Sequence, residues 1–384
     1  MKMTEVFDFD QEIDRSDTHS VKWEKYRGRD ILPMWVADTD FAVAPQIQQA
    51  LRNRVEHPVY GYTQVPARLP ELIAERMRRL YQWEIDPRWV VMLPGVIGAF
   101  YLACRATSEP GDLIYVPEVV YPPFSNGPRH YSMKNQKMPM SIRDQRMVID
   151  MDWLEQQPPR PDRMLMFCNP QNPGGAVYSE DELCRLARIV EQQQLILVSD
   201  EIHCDLILDR DRRHIPIASL NAQIEQRSIT LMAPSKTFNL AGLGCAFAII
   251  ANDRLRRSMS VNPYIVPHVS ILGLAAAEAA YEFCDEWNRQ QCEYLAANRD
   301  YLIDAINRIP GLRLAPIEST YLAWIDVSAL DLENPPQFFE NAGVGMSPGH
   351  EFGDSNFMRL NFGCPRSRVE RAVERIRNAV EAIR

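Results

Sequence analysis

Ser228-Ile-Thr-Leu-Met-Ala-Pro-Ser-Lys-Thr-Phe-Asn-Leu-Ala-Gly-Leu-Gly244 begins with five residues that read as a buried strand. It then breaks at Ala233-Pro234 into small and turn-forming residues around a single lysine, Lys236. Burial just past an apolar strand disfavours an ammonium ion, which leaves the amine available for condensation with a carbonyl. Taken alone, the stretch fits a solvated surface lysine equally well. Working outward, residues 89–93, 113–117, 163–167, 195–200 and 245–250 are further short apolar runs with helical segments between them. Apolar runs of this length read as strands buried on both faces, and the connections suit βαβ crossovers. The expected fold is α/β: a large domain with a mostly parallel sheet flanked by helices, and a smaller α/β domain.

Local signals place the helices. Ser179 with Glu182 predicts a capping box ahead of a helix over 183–194. Ser367 with Glu370 predicts another ahead of the last helix, where Val369, Val373, Ile376, Val380 and Ile383 recur at helical spacing. A long polar-apolar pattern over 286–308 stops at Pro310-Gly311 and predicts a helix leading into the C-terminal domain. The expected division is an N-terminal segment, 1–45, packing with the small domain, then a large domain, 46–285, and a small domain, 286–384. No internal repeat is visible, and the Pro-rich stretch 157–161 reads as a surface loop.

With 384 residues and 46% hydrophobic content, the chain has material for a large core. A net charge of −9 with scattered basic residues argues against a nucleic-acid partner and favours a small molecule. Residues 1–10 carry no apolar signal core, and no apolar run approaches the ~20 residues of a membrane span, so no membrane partner and a cytoplasmic location are expected. Cysteines 104, 168, 184, 204, 245, 284, 292 and 364 form no C-x-x-C pair. No metal site and no disulfide frame are expected, and Cys168 or Cys204 is the thiol to consider as reactive.

Three further stretches bear on chemistry. The run 195–199 ends in Asp200-Glu201, and a carboxylate at the C-terminal end of a parallel strand sits where α/β sheets bind ligands, although a strand-end Asp also serves as a plain helix cap. Leu93-Pro-Gly-Val-Ile-Gly-Ala-Phe100 turns through glycine into a helix, which offers the N–H groups of Val96 and Ile97 to a phosphate. Asn169-Pro-Gln-Asn-Pro-Gly-Gly175 sets an amide on a constrained loop after a strand; on its own it is an ordinary turn.

Asn169-Pro-x-Asn-Pro-x-Gly175, Ser199-Asp-Glu-Ile202, Ser235-Lys-Thr-Phe238 and Met358-Arg-Leu-Asn-Phe-Gly363, in that order, resemble the signature set of fold-type I enzymes that use pyridoxal 5′-phosphate (PLP), in the class I/II aminotransferase family. Leu32-Pro-Met-Trp-Val-Ala-Asp-Thr-Asp-Phe41, Val59-Tyr-Gly-Tyr62, Tyr121-Pro-Pro-Phe124, Asp200-Glu-Ile-His203 and Asn361-Phe-Gly-Cys364 are similar to the MalY/PatB-type cystathionine β-lyases, also called cysteine-S-conjugate β-lyases. The likeness spans nearly the whole chain.

The resemblance implies a role for each matching residue. Lys236 would carry the cofactor, Asp200 would partner the pyridine nitrogen, Asn172 would donate to the phenolic oxygen and Tyr121 would stack on the ring. The phosphate would be held by Val96, Ile97, Ser235 and, from a second copy in a homodimer with shared active sites, Tyr62. His203 joins the cofactor-binding set. Arg359, Ala37 and Tyr62 would contact the amino-acid substrate. Where many relatives carry a hydroxyl three residues before the lysine and a basic residue about eight after it, this chain has Ala233 and Gly244. The implied reaction is β-elimination of a thiol from cystathionine or a related conjugate, leaving pyruvate and ammonia. An aminotransferase on the same residues is the alternative, and regulator binding alongside catalysis is a third reading.

Overall fold

The computed structural model describes residues 6–159, 163–260 and 268–384. Strands β1 (Val90–Leu93), β2 (Leu113–Pro117), β3 (Lys134–Met138), β4 (Met164–Cys168), β5 (Ile196–Asp200), β6 (Ser228–Met232) and β7 (Ala246–Ile249) form one sheet in the order β1-β7-β6-β5-β4-β2-β3. Strand β7 runs antiparallel to both neighbours, and every other adjacent pair is parallel. Six strands therefore point the same way. The six apolar runs are all strands, with ends shifted by at most a residue or two. Strand β3, with the sequence Lys-Asn-Gln-Lys-Met, has no apolar run to announce it because it lies at the sheet edge, where one side needs no burial.

Strands β4, β5 and β6 are buried at every position. Successive side chains point to opposite faces, so the residues divide cleanly. Met164, Met166, Ile196, Val198, Ile229 and Leu231 pack under helix α1 (Val96–Thr107), whereas Leu165, Phe167 and Leu197 pack under α2 (Glu180–Gln192). The predicted capping box starts α2: the Glu182 N–H donates to Ser179 Oγ at 3.3 Å, and the Ser179 N–H donates to Glu182 Oε2 at 2.7 Å.

Helix α3 (Asp285–Asn307) leads to a four-stranded antiparallel sheet of β8 (Arg313–Leu314), β9 (Leu322–Asp326), β10 (Ser347–Pro348) and β11 (Phe357–Asn361), in the order β8-β9-β11-β10. The last helix, α4 (Arg366–Ala382), corrects one expectation. It begins after Pro365, so Ser367 lies inside its first turn and its hydroxyl donates to Glu12 Oε1 at 2.7 Å instead of capping. Leu32–Pro33 pairs in parallel with Val344–Gly345, which fixes the N-terminal segment to the C-terminal part of the chain. Residues 1–5 of the N-terminal stretch and 160–161 of the Pro-rich stretch lie outside the described residues. No helix among the described residues is long and apolar enough to cross a membrane.

Candidate active site

Because six strands share a direction, their C-terminal ends share one edge of the sheet, where α/β folds place ligands. From that edge the chain delivers Gly95 and the first turn of α1 after β1, Tyr121 after β2, Asn169 to Asn172 after β4, Asp200 at the end of β5 and Lys236 just beyond β6. Gly95 precedes α1 without any side-chain cap. Val96 is buried and Ile97 is exposed. Lys236 and Ser235 sit in a short helix, Pro234–Thr237, both partly buried.

The C-terminal sheet closes over this edge and brings Arg359 from β11. Its Nη1 donates to Asn172 Oδ1 at 3.1 Å, and its Nη2 donates to the Trp35 carbonyl at 3.1 Å and to Ser347 Oγ at 3.4 Å. The guanidinium also lies 4.3 Å from the centre of the Phe352 ring. Since Asn172 Oδ1 is occupied, its Nδ2 remains as the donor. Lys236 Nζ donates to the Ala37 carbonyl at 2.7 Å, and the Tyr321 hydroxyl donates to the same oxygen at 3.1 Å. Sequences remote from one another thus meet around one carbonyl.

The segment carrying that carbonyl is held by two amides to which the sequence reading gave no role. Asn361 Nδ2 donates to the carbonyls of Val36 (2.6 Å) and Asp38 (2.7 Å), and Asn239 Nδ2 donates to those of Thr39 (3.1 Å) and Phe41 (3.0 Å). Both lie within the quoted motifs, so the signal was a polar amide among apolar neighbours, which must be hydrogen-bonded when buried.

Burial dominates the electrostatics. Asp200 is pushed up to about 7 by loss of solvent, against the Ile202 N–H at 3.1 Å and the Lys236 charge, which both favour its ionised form. Lys236 is pulled down to about 8 by burial and by Arg359, opposed by Asp38 and Asp200. His203 falls to about 3 through burial and the cations Lys236 and Arg359, so it is a neutral imidazole, its ring 6.0 Å from that of Tyr321. Arg359 is lowered to about 10 by burial, and Tyr121 is raised by burial. Arg359 Nε and His203 Nδ1 are buried with no hydrogen-bond partner among the described residues. A site with spare donors, a weakened ammonium and a carboxylate at the far wall is built to receive a polar, anionic ligand.

Two placements differ in kind. Tyr62 stands apart from this cluster, fully exposed beside exposed Val59 and Tyr60, with its ring 6.3 Å from that of His268. Gly244 adopts φ +62°, and a Cβ there would lie 3.3 Å from the Pro94 carbonyl, so the turn itself disfavours the basic side chain many relatives carry. Cys168 and Cys204 are buried, and loss of solvent holds both thiols well above their usual range, so neither is a reactive thiolate.

Comparison with known proteins agrees with this architecture. The family model for aminotransferase class I and II matches residues 37–376. Cystathionine beta-lyase PatB of Bacillus subtilis (strain 168) is 34% identical over 390 residues, covering 97% of this chain and 99% of PatB. The crystal structure of OvoB superposes with a TM-score of 0.94 at 43% identity, covering 97% of this chain and 99% of that one. Cystalysin from Treponema denticola, whose crystal contains a pyridoxal 5′-phosphate cofactor, gives a TM-score of 0.94 at 30% identity, covering 99% of this chain and 100% of that one. The fold is that of the fold-type I PLP-dependent transferases, and the chain belongs to the class I and II aminotransferase family.

Proposed function

We propose that this chain is a PLP-dependent carbon–sulfur β-lyase that cleaves cystathionine or a related cysteine S-conjugate to a thiol, pyruvate and ammonia. The observation that carries the reading is the convergence in one cleft of Lys236 with a weakened ammonium, the buried strand-end carboxylate of Asp200, and Arg359 with an unsatisfied Nε. The name of PatB, a cystathionine β-lyase similar over almost the whole chain, supports the reaction.

The donor set fits the cofactor. Lys236 offers the amine that would hold it, Asp200 the carboxylate for its ring nitrogen, Asn172 Nδ2 a donor for its phenolic oxygen, and the first N–H groups of α1 at Val96 and Ile97, with Ser235, a seat for its phosphate. Tyr121 would stack on the ring, with His203 beside it. When bound, PLP supplies an electron-withdrawing ring that stabilises negative charge on the substrate Cα.

The remaining steps belong to the chain's own residues. Arg359 grips the substrate α-carboxylate with its planar fork, and the Ala37 carbonyl lies against the amine end. Asp200 holds a proton on the ring nitrogen. Lys236 would take the Cα proton, a task suited to an amine lowered to about 8. Departure of the thiolate from Cβ and hydrolysis of the three-carbon remainder complete the reaction.

Exposed Val59, Tyr60 and Tyr62 support a homodimer in which Tyr62 of a second copy completes the phosphate site and touches substrate, and we assign the enzyme to the cytoplasm. We assign residues 46–285 to the large domain, 286–384 to the small one and 1–45 to a segment packed with the latter. With L-cystathionine alone, pyruvate and free thiol are expected to accumulate over many turnovers without an added keto acid. A halt after about one equivalent, relieved by a keto acid, would make the enzyme an aminotransferase instead.

A further inference from the structure

Behind Asp200 lies a second buried carboxylate that the reaction above does not use. Ser199, Asp200 and Glu201 are consecutive at the end of β5, so Ser199 and Glu201 project away from the face that Asp200 presents to the cleft. Glu201 is fully buried. Its Oε1 accepts from Ser199 Oγ at 2.8 Å and from the Ile217 N–H at 3.3 Å, and its Oε2 meets His214 Nε2 at 2.7 Å. Three hydrogen-bond partners thus surround one carboxyl group. His214 is itself buried, its ring set edge-on to Tyr81 with 5.3 Å between centres, and its Nδ1 has no partner among the described residues. The cage thus seats a carboxyl group in a buried interior, directly after Asp200 in the chain.

We propose that Glu201, held by Ser199, Ile217 and His214, is a positioning residue: a fixed anion behind Asp200 that strengthens the grip of Asp200 on the proton of the cofactor's ring nitrogen. This rests on the reading of Asp200 given above. Lys236, Tyr121 and Cys168, the cross-strand partner of Asp200, lie on the Asp200 side; on the Glu201 side are His214 and Cys204, with Tyr81, Asp205 and Arg76 beyond Cys204, and burial keeps both thiols protonated. The buried cation on the far side of Cys204, Arg76, is committed to Asp205 at 2.9 Å and Asp285 at 2.6 Å. Lys236 serves the cleft, and Glu201 acts in the opposite sense, raising the proton affinity of Asp200. Buried polar groups are costly unless they are satisfied, and the three hydrogen-bond partners explain how a carboxyl group is accommodated at this position.

The test is ¹⁵N NMR of holoprotein reconstituted with ring-¹⁵N-labelled PLP, because the ring-nitrogen shift reports its protonation directly and needs no turnover. In the wild-type protein the ring nitrogen is expected to be protonated at neutral pH. Glu201→Gln preserves the shape and the acceptor for Ser199 and Ile217 but removes the charge; the pH at which the ring proton is lost is expected to fall by about one unit, a tenfold weaker hold. His214→Lys sets an ammonium against Glu201 and is expected to move that pH in the same direction, which gives a second route should Glu201→Gln not fold. His214→Gln keeps both the charge and an N–H donor, and is expected to leave the ring nitrogen unchanged. Equal titration in wild type, Glu201→Gln and His214→Lys, or an equal shift in His214→Gln, overturns the proposal while leaving the lyase reading intact. An unprotonated ring nitrogen in the wild-type holoprotein overturns the role of Asp200 itself.

Discussion

Asp200 and Asp40 are both buried carboxylates, 5% and 2% exposed, and their surroundings drive them in opposite directions. Burial alone raises both. At Asp40, three cations overcome it: Lys22 Nζ at 2.9 Å and Arg368 Nη1 at 2.6 Å on Oδ2, and Arg15 Nη1 at 2.6 Å on Oδ1, where Trp23 Nε1 also donates at 3.2 Å. The carboxyl is held down at about 2. Asp200 has one backbone donor and a partly neutralised lysine, and it rises to about 7. A carboxylate whose demand is met within the chain is structural. One left short of partners is waiting for a ligand, and that contrast separates site from scaffold more sharply than burial or charge alone. The two are joined, since Asp40 anchors the segment whose Ala37 carbonyl receives Lys236.

The most severe way to break the unsatisfied cluster is to delete its base. Lys236→Ala is expected to lower turnover of L-cystathionine by about 10⁴-fold or more while the far-UV circular dichroism stays that of a folded protein. Borohydride treatment of the wild type should fix the cofactor on Lys236; a modified peptide from elsewhere in the chain would refute the assignment.

The next effect concerns Asp200 in cofactor-free protein. Its folded-state affinity for a proton is raised from the usual acidic range to about 7. Its contribution to stability is therefore fully present below the unfolded value near 4 and is lost as pH rises through 7, a swing on the order of 4 kcal/mol. Denaturant titrations across pH 4–7 should show that slope in wild type and lose it in Asp200→Asn. Added PLP should flatten it as well, since the ring supplies the missing partner. A wild-type slope unaffected by Asp200→Asn would mean that the carboxylate is compensated by something else.

Much of this cluster was legible in the sequence because its parts are local. A strand followed by Asp200, or by Ala-Pro-Ser-Lys236, is a signal contained in a few residues, and parallel strands deliver such residues to one edge whatever the loops do. The Asp40 network was not legible. Its cations Lys22, Arg15 and Arg368 lie 18, 25 and 328 residues away, and nothing in their neighbourhoods distinguishes them from surface charges until the fold brings them together. The same holds for Arg146 and Glu318, paired at 3.0 Å across 172 residues. The missed strand β3 is polar because it is an edge, and Ser367 misled because a proline, Pro365, starts α4 before it. Local chemistry was readable, whereas long-range charge pairing had no local trace.

On the satisfied side, Asp40→Asn leaves Lys22 and Arg368, both nearly inaccessible, facing a neutral amide. Breaking a buried charge network from one side strands the opposite charges, and a loss of about 3 kcal/mol in unfolding free energy is expected. Conformational slackening of the 36–41 segment should follow, with Ala37 less well placed and turnover reduced by less than in Lys236→Ala. A stability change within experimental error would show that the network contributes little and that the contrast with Asp200 is one of geometry alone.

The smallest effect is the acid limb. Asp40 is depressed to about 2 in the folded chain, with burial opposing and Lys22 and Arg368 prevailing. A depressed carboxylate contributes stability above its unfolded value, near 4, and loses it as pH falls through the folded value, so the window is pH 4 to 2 and the loss about 2 kcal/mol. Over that window Asp200 is protonated in the folded state and adds little slope, which isolates the Asp40 term. Wild type should lose stability on acidification through this range more steeply than Asp40→Asn, measured by urea titration at fixed ionic strength. Parallel curves for the two proteins would assign the acid sensitivity to the exposed carboxylates, and Asp40 would then be no better satisfied than they are.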